Sequence, residues 1–300
     1  MSPRPPLKIP VSAGPLPCFS LLAQSSLRAT TACPQTTTRF CTPSVAYVRF
    51  SSSSTPPQPP SRWPADLRAR VGKCIIFGCN AAQTRRAAGV LGVLAGEWRA
   101  LSAGSEGYLS GGQRGLEGQQ VVWGEMDSFG HVNNANYIRY AESSRVNWIL
   151  HFSALDPRHR KEWRELMTPS GTGLIMKTIK ADYKFPMTYP DKISVYHKLR
   201  SLPTASSTSL ILDCIILSHK HRRIAAKTEE DVVVYDYQAA GKTTVPEFAL
   251  NVFSQTYQLQ EEVMKSSRLK IWDLIKKVEE LEKETWNRED AVEDLGAAKK

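Results

Sequence analysis

The sequence predicts an α+β fold, and three observations carry that prediction. A strand-like run, a polar loop and a long helical period follow one another over residues 121–152. Strand-like segments separated by Pro, Gly and basic turn signals then fill residues 175–237. Helical patterns flank this block on both sides, over residues 84–103 and 260–300.

The length of 300 residues suits one large domain or two small ones, and 41% hydrophobic with 23% charged residues is enough to bury a core. No stretch approaches the roughly 18–20 apolar residues of a membrane span. The net charge of +10 is unevenly spread. Residues 1–65 hold six basic residues, thirteen of the nineteen prolines and no Asp or Glu, which leaves only +4 on residues 66–300. A nucleic-acid footprint would be a basic stripe on the folded part, so no nucleic-acid partner is expected. The acid-free, Arg- and Ser-rich leader reads as a mitochondrial transit peptide over residues 1–50, addressed to the matrix, with a disordered linker as the alternative. Arg49-Phe50-Ser51 resembles a presequence cleavage site. Cys18, Cys33 and Cys41 belong to the leader. Cys74, Cys79 and Cys214 remain, without metal-ligand spacing, and read as reduced thiols.

Residues 51–118 read as a linker and helical extension. Thr84–Ala103 is a predicted helix whose stripe is Ala88, Leu91, Ala95 and Trp98, and the Gly-rich residues 104–118 form a loop without a GxxxxGK[ST] pattern. Val121–Trp123 is strand-like and Gly124–Asn133 is a turn-rich connection. From Asn134 a helix runs with Tyr137, Ala141, Ser144, Trp148 and Phe152 on one face, capped by Asn133 or Asn134. Ile175–Phe185 alternates with one exception, Lys177. Pro186 and Pro190 break the chain before strands at Ile193–Ser201, Ser207–Ser218 and Ile224–Tyr237. Leu210, Leu212, Cys214 and Ile216 line one face of the second of these. Residues 251–300 form a charged helical tail with a stripe at Val263, Ile271, Leu274, Ile275, Val278 and Leu281.

The helix start carries the chemistry. Its unpaired backbone N–H groups and positive dipole end suit a developing negative charge. Asp127 and His131 lie just before it, so a carboxylate, an imidazole and an electrophilic helix end converge as an acyl-transfer site would require.

The string WGEMDSFGHVNNANYIRYAESSR resembles the signature of the hotdog-fold acyl-CoA thioesterases, the 4-hydroxybenzoyl-CoA thioesterase-like group, and is similar to the HVNN box of plant acyl-ACP thioesterases. With the leader in front, it looks like a fungal-type mitochondrial member. YKFPMTYPD is similar to the family's inter-strand turn. The resemblance implies a hotdog domain over residues 119–250: a long central helix wrapped by a five- to six-stranded antiparallel sheet, here with extra N- and C-terminal helices. It implies hydrolysis of an acyl-CoA or acyl-ACP, no metal or redox cofactor, and a homodimer or homotetramer with sites between subunits.

By the same resemblance Asp127 is the catalytic carboxylate, the backbone N–H of Asn134 polarises the thioester carbonyl, and His131 matches the plant histidine. Gly130, Asn133, Tyr137 and Glu142 fall in the substrate site. Taken alone, Asn133 shapes the turn, Tyr137 is a core residue, and Glu142 either faces the pocket or pairs with Arg139 or Arg145. The sequence departs from the family at Phe129, where the plant enzymes carry asparagine, and at Glu125, where many bacterial members have aspartate. Lys220, Arg222 and Arg223, in the basic turn 218–223, are either a solvated hairpin tip or contacts for coenzyme A phosphates. His219 and His221 lack a third metal ligand. Two other readings stay open at this point. One is a non-catalytic hotdog subunit docked through its extensions, and the other is a hydratase on the same fold.

Overall fold

The computed structural model describes residues 55–293. The transit-peptide reading of residues 1–50 concerns residues outside it. Helix α4, Asn134–Leu155, begins at the predicted position because the Asn133 side chain accepts the Ala135 N–H at 2.9 Å. Its face of Tyr137, Ala141, Ser144, Trp148 and Phe152 is buried as the periodicity requires.

That face lies on a six-stranded antiparallel sheet. The strands are β1 (Gly115–Val121), β2 (Thr172–Tyr183), β3 (Asp191–Leu199), β4 (Ser209–Ser218), β5 (Arg223–Asp236) and the short β6 (Gly241–Lys242). They run in the order β1-β3-β4-β5-β2, with β6 paired to the end of β5. This is the hotdog arrangement of one long helix against an antiparallel sheet. β2 pairs only with β5, so its outer edge is open. The exception at Lys177 is a bulge. Met176 faces Val232 and Thr178 faces Asp231, so Lys177 is the extra residue, and its Nζ lies 2.7 Å from Asp231.

The other sheet face is covered by helices. α1 (Trp63–Ile76), α2 (Ala81–Gly96), α3 (Trp98–Gly104) and the distal half of α6 (Glu247–Glu284) bury Leu67, Val71, Val90, Leu94, Ile271 and Val278 against Tyr196, Ile215 and Leu217. β4 is therefore buried on both faces: Leu212, Cys214 and Ile216 toward α4, Ile215 and Leu217 toward the extension. α6 spans about 57 Å at 1.5 Å per residue. Its first turns place Ala249 and Phe253 among Trp148, Phe152 and Trp163. At mid-length the Gln260 amide grips the end of β3, accepting the Leu199 N–H at 3.0 Å and donating to its carbonyl at 2.9 Å. Further on, Glu282 takes a bidentate pair from Arg70 of α1, and Glu284 pairs with Arg86 of α2.

Several expectations shift. The helix predicted over Thr84–Ala103 is two helices that change direction at Glu97, where the first is C-capped. Its buried stripe is Gln83, Ala87, Val90 and Leu94, while Ala88 and Ala95 are exposed, because the small residues gave the period little contrast. Asn80 starts α2 with a capping box closed by Gln83, a signal outside the predicted range. The Gly-rich stretch expected as a loop contains the start of β1. The strand expected at Val121–Trp123 is the end of β1 and a 3-10 turn over Trp123–Glu125. The tail helix starts at Glu247, earlier than residue 251. α5, Arg160–Glu165, was not anticipated; it places Trp163 over the end of α4.

Gly115 shows how closely β1 sits. A Cβ there would lie 2.1 Å from the Val195 carbonyl oxygen and 3.1 Å from Ser144 Oγ. Gly115→Ala is expected to lower unfolding free energy by about 1–3 kcal/mol, the range for overpacking. Gly92→Ala, on a helix with nothing within 4 Å, is expected to raise it by about 0.5–1 kcal/mol. Urea unfolding of both variants checks the pair; equal shifts would contradict this packing.

Candidate active site

The loop between β1 and α4 is built by its own backbone. Glu125 closes the 3-10 turn by accepting the Val122 N–H at 2.8 Å. The Asp127 and His131 backbones then pair, N–H to carbonyl, at 2.8 Å, and Gly130 N–H returns to the Asp127 carbonyl at 3.0 Å. The reversal needs φ +73° at Gly130, which glycine adopts without steric cost. The Asp127 side chain completes the turn: Oδ1 accepts the N–H groups of Phe129 at 2.9 Å and His131 at 3.3 Å. Oδ2 takes no protein hydrogen bond among the described residues.

This loop is stitched to the segment after β2. Val132 N–H donates to the Met187 carbonyl at 2.9 Å, and Met187 N–H donates to Tyr137 Oη at 3.1 Å. Tyr183 Oη donates to the Asn134 carbonyl at 3.2 Å, and its ring meets Tyr137 edge-on at 5.1 Å. Burial raises the Tyr137 hydroxyl above its ordinary value, keeping it a neutral acceptor.

An open cleft of about 420 Å³ results, bordered by Asp127, His131, Asn134, Tyr137, Tyr183 and Phe185. Four predicted site residues thus share one cavity. The Asn134 N–H, first in α4, has no acceptor among the described residues. Gly130 and Asn133 do not border the cleft; they shape the turn and cap the helix. Lys220, Arg222 and Arg223 border other hollows, beyond Phe185. Glu142 is a correction. It is exposed, borders no part of the cleft, and pairs with neither Arg139 nor Arg145. The reason is a stronger partner across the fold: Arg145 Nη1 reaches Glu230 of β5 at 2.8 Å.

Glu230 centres a buried network that local sequence spacing does not disclose. It accepts from Thr228 Oγ1 at 2.9 Å and meets His197 Nε2 at 3.2 Å; His197 Nδ1 lies 3.0 Å from Ser144 Oγ, which donates to the Val195 carbonyl at 2.9 Å. The members sit on α4, β3 and β5. Burial pushes the Glu230 carboxyl up, but hydrogen bonding and charge from His197, then Arg145, outweigh it and hold it at about 2. His197, Cys214 and Glu230 bring donor atoms within 4.8 Å of one another, a set that resembles metal ligands. The chemistry fits a cation poorly. Glu230 is already shared by Arg145, His197 and Thr228, and burial drives the Cys214 thiol well above its ordinary value, keeping it protonated.

The wall Tyr183–Pro186 is the part of the cleft that sequence reasoning missed. Its signal was present as the YKFP string, read as the end of a strand and a turn.

Residues 121–253 match the family model described as the thioesterase-like superfamily. Among solved structures, the chain is similar to protein PA2801 from Pseudomonas aeruginosa (23% identity, TM-score 0.37), covering 45% of this chain and 95% of that one. It is similar to a thioesterase from Thermus thermophilus complexed with coenzyme A and Zn (19%, TM-score 0.36, 51% and 98%). A third similar structure is a DHNA-CoA thioesterase from Staphylococcus aureus (17%, TM-score 0.36, 47% and 87%). No curated protein matches the chain.

The depressed carboxyl of Glu230 yields a pH prediction. Its folded value of about 2 lies below the ordinary 4.5, so folding favours the ionised form. The stabilisation is complete above the unfolded value and is lost as pH falls through 4.5 toward 2. Urea midpoints measured from about pH 6 to about pH 2.5 should fall, and Glu230→Gln should remove part of that slope while lowering stability at pH 7. A wild-type midpoint that stays flat over this window would contradict it.

Proposed function

We propose that this protein hydrolyses an acyl thioester of coenzyme A or of acyl carrier protein to a free acid and a thiol. One observation carries the reading: Asp127 and Asn134, whose Oδ2 and backbone N–H have no partner among the described residues, both border the same cleft. Asp127 takes a proton from water as the water oxygen attacks the thioester carbonyl carbon. Negative charge collects on the carbonyl oxygen, where the Asn134 N–H and the α4 dipole stabilise it. The C–S bond then breaks, and the thiolate leaves with the proton held by Asp127. His131 stands on the same wall as a second proton-transfer group.

A second copy of the chain completes the site in this reading. The β2 edge is open, Phe129, at 83%, and Tyr183 stand exposed on the cleft, and Trp123, at 76%, and Ile138 are exposed on the 3-10 turn before the loop and on α4. Exposed apolar patches of this kind mark interfaces, and the described residues contain no other segment that covers them. The leader supports a mitochondrial matrix address, testable by imaging a fusion to residues 1–65.

Thiol release by the full chain should be measured on short, medium, long and aromatic acyl-CoAs and on acyl-ACP. Asp127→Asn is expected to cut the rate at least ~100-fold, the lower range for a general base. Equal rates would remove Asp127 from the mechanism, and no release on any substrate would overturn the hydrolase reading. Light scattering should give at least twice the 33.5 kDa chain mass, and a monomer would overturn the shared site.

A further inference from the structure

The outer surface of the N-terminal extension has a charge bias that its packing leaves unused. Residues 67–96 hold five bases and no Asp or Glu. Three of the five are engaged: Arg70 with Glu282, Arg86 with Glu284, and Lys73 over the Trp286 ring at 3.2 Å. Arg68 and Arg85 are exposed and make no ion pair among the described residues.

α1 carries this bias on one face. Ala65, Arg68, Ala69, Gly72, Ile75 and Ile76 recur at three- and four-residue steps, opposite the buried Leu67, Val71 and Cys74. The first part of that face adjoins the β4–β5 turn. Arg62 borders a recess of about 110 Å³ with Arg222 and Arg223, and Arg68 borders one of about 330 Å³ with Lys220 and Arg222. No carboxylate borders either recess, and Asp66, in the first turn of α1, borders neither. Arg62, Arg222 and Arg223 also make no ion pair among the described residues. At its other end the face turns aliphatic. Ile75 and Ile76 are 50% and 51% exposed, about 10 Å along the helix from Arg68 and Ala69, and the chain then reverses at Gly78 with φ +86°.

Charge decides which occupant fits. Residues 1–54 hold five bases and no acid, so the chain's own leader is repelled. A second copy presenting the same face would set arginine against arginine. An anionic surface is attracted. The isoleucines stand on a helix ridge and border neither recess, so they offer no groove to a partner's side chains. An aliphatic pair on a helix flanked by cations matches the boundary of a bilayer, where guanidinium groups meet phosphodiester headgroups and aliphatic tips enter the acyl layer. At about 20 Å, α1 is shorter than a hydrocarbon core of ~30 Å and would lie along the bilayer, not through it.

We propose that the outer face of α1, with the β4–β5 turn beside it, is a docking surface for a bilayer containing anionic phospholipid. Ile75 and Ile76 insert, and Arg62, Arg68, Lys220 and Arg222 contact the headgroups. This surface stands whether or not the cleft hydrolyses thioesters.

The test floats the full chain with vesicles of phosphatidylcholine alone and of phosphatidylcholine and phosphatidylglycerol in a three-to-one ratio. Binding is expected on the mixed vesicles only, and should weaken as added salt screens the charges. Arg68→Gln should weaken it about fivefold, the fold-change equivalent to ~1 kcal/mol per cation near an anionic leaflet. Ile75→Ser combined with Ile76→Ser should weaken it by at least as much. Lys161→Gln, which removes an exposed cation from α5, should leave it unchanged. All variants keep residues 1–54, so any binding by that basic segment is common to them. As a second readout on the unaltered chain, mixed vesicles should slow amide hydrogen exchange over residues 62–80 and 219–223. Equal binding to both vesicle types, an equal loss in Lys161→Gln, or slowing only outside these two segments would each overturn the surface. No binding to either vesicle would also overturn it and leave the cations to an acidic protein.

Discussion

A helix resting on a sheet through Tyr137, Ala141, Trp148 and Phe152 is held by contacts that tolerate sliding and rotation, since apolar contact has no direction. The network around Glu230 supplies the direction. Arg145 and Ser144 on α4 are hydrogen-bonded to Glu230, His197 and the Val195 carbonyl, which belong to β5 and β3. Unmaking one link leaves a buried polar group without a partner, a cost of about 1–3 kcal/mol and more for a charge. The rotation and height of α4 are fixed there, about three turns from the end where the candidate chemistry lies. Because α4 is rigid, the Asn134 N–H and the capped loop before it inherit that position.

The helical extensions close the sheet face opposite α4. α1–α3 and the distal half of α6 bury Tyr196, Ile215 and Leu217, so both sheet faces are closed within one chain. What remains unpaired, among the described residues, are the outer edges of the two end strands, β1 and β2, together with exposed apolar side chains such as Phe129 and Trp123. The same extension brings Arg62 and Arg68 beside the β4–β5 turn and frames the hollow beyond Phe185. One segment therefore both buries the second sheet face and frames these hollows, tied down by the Arg70–Glu282 pair.

Much of the domain was legible because its signals are local. The cap at Asn133, the five-residue face of α4, the four long strands and even the irregularity at Lys177 follow from spacing and turn chemistry. The segment DSFGHVNN shows Asp127, the required glycine and the helix start within one loop, so the centre of the cleft could be read directly. The stripe of α2 was read one residue out of phase, since alanines and glycines carry little contrast between faces.

What the sequence alone determined is the set of local instructions: where α4 begins, which face it buries, where each strand turns, and which carboxylate precedes the helix. Only the tertiary structure decided the partners. Arg145 pairs with Glu230, 85 positions away, rather than with Glu142; Tyr183 and Phe185 border the cleft from the end of β2 and just beyond it; and Arg62 and Arg222 border one hollow. Caps, periodicity and turns depend on neighbours within a few residues, so spacing records them. Ion pairs, cavity walls and charge clusters depend on which segments packing brings together, and no spacing in a single chain records that.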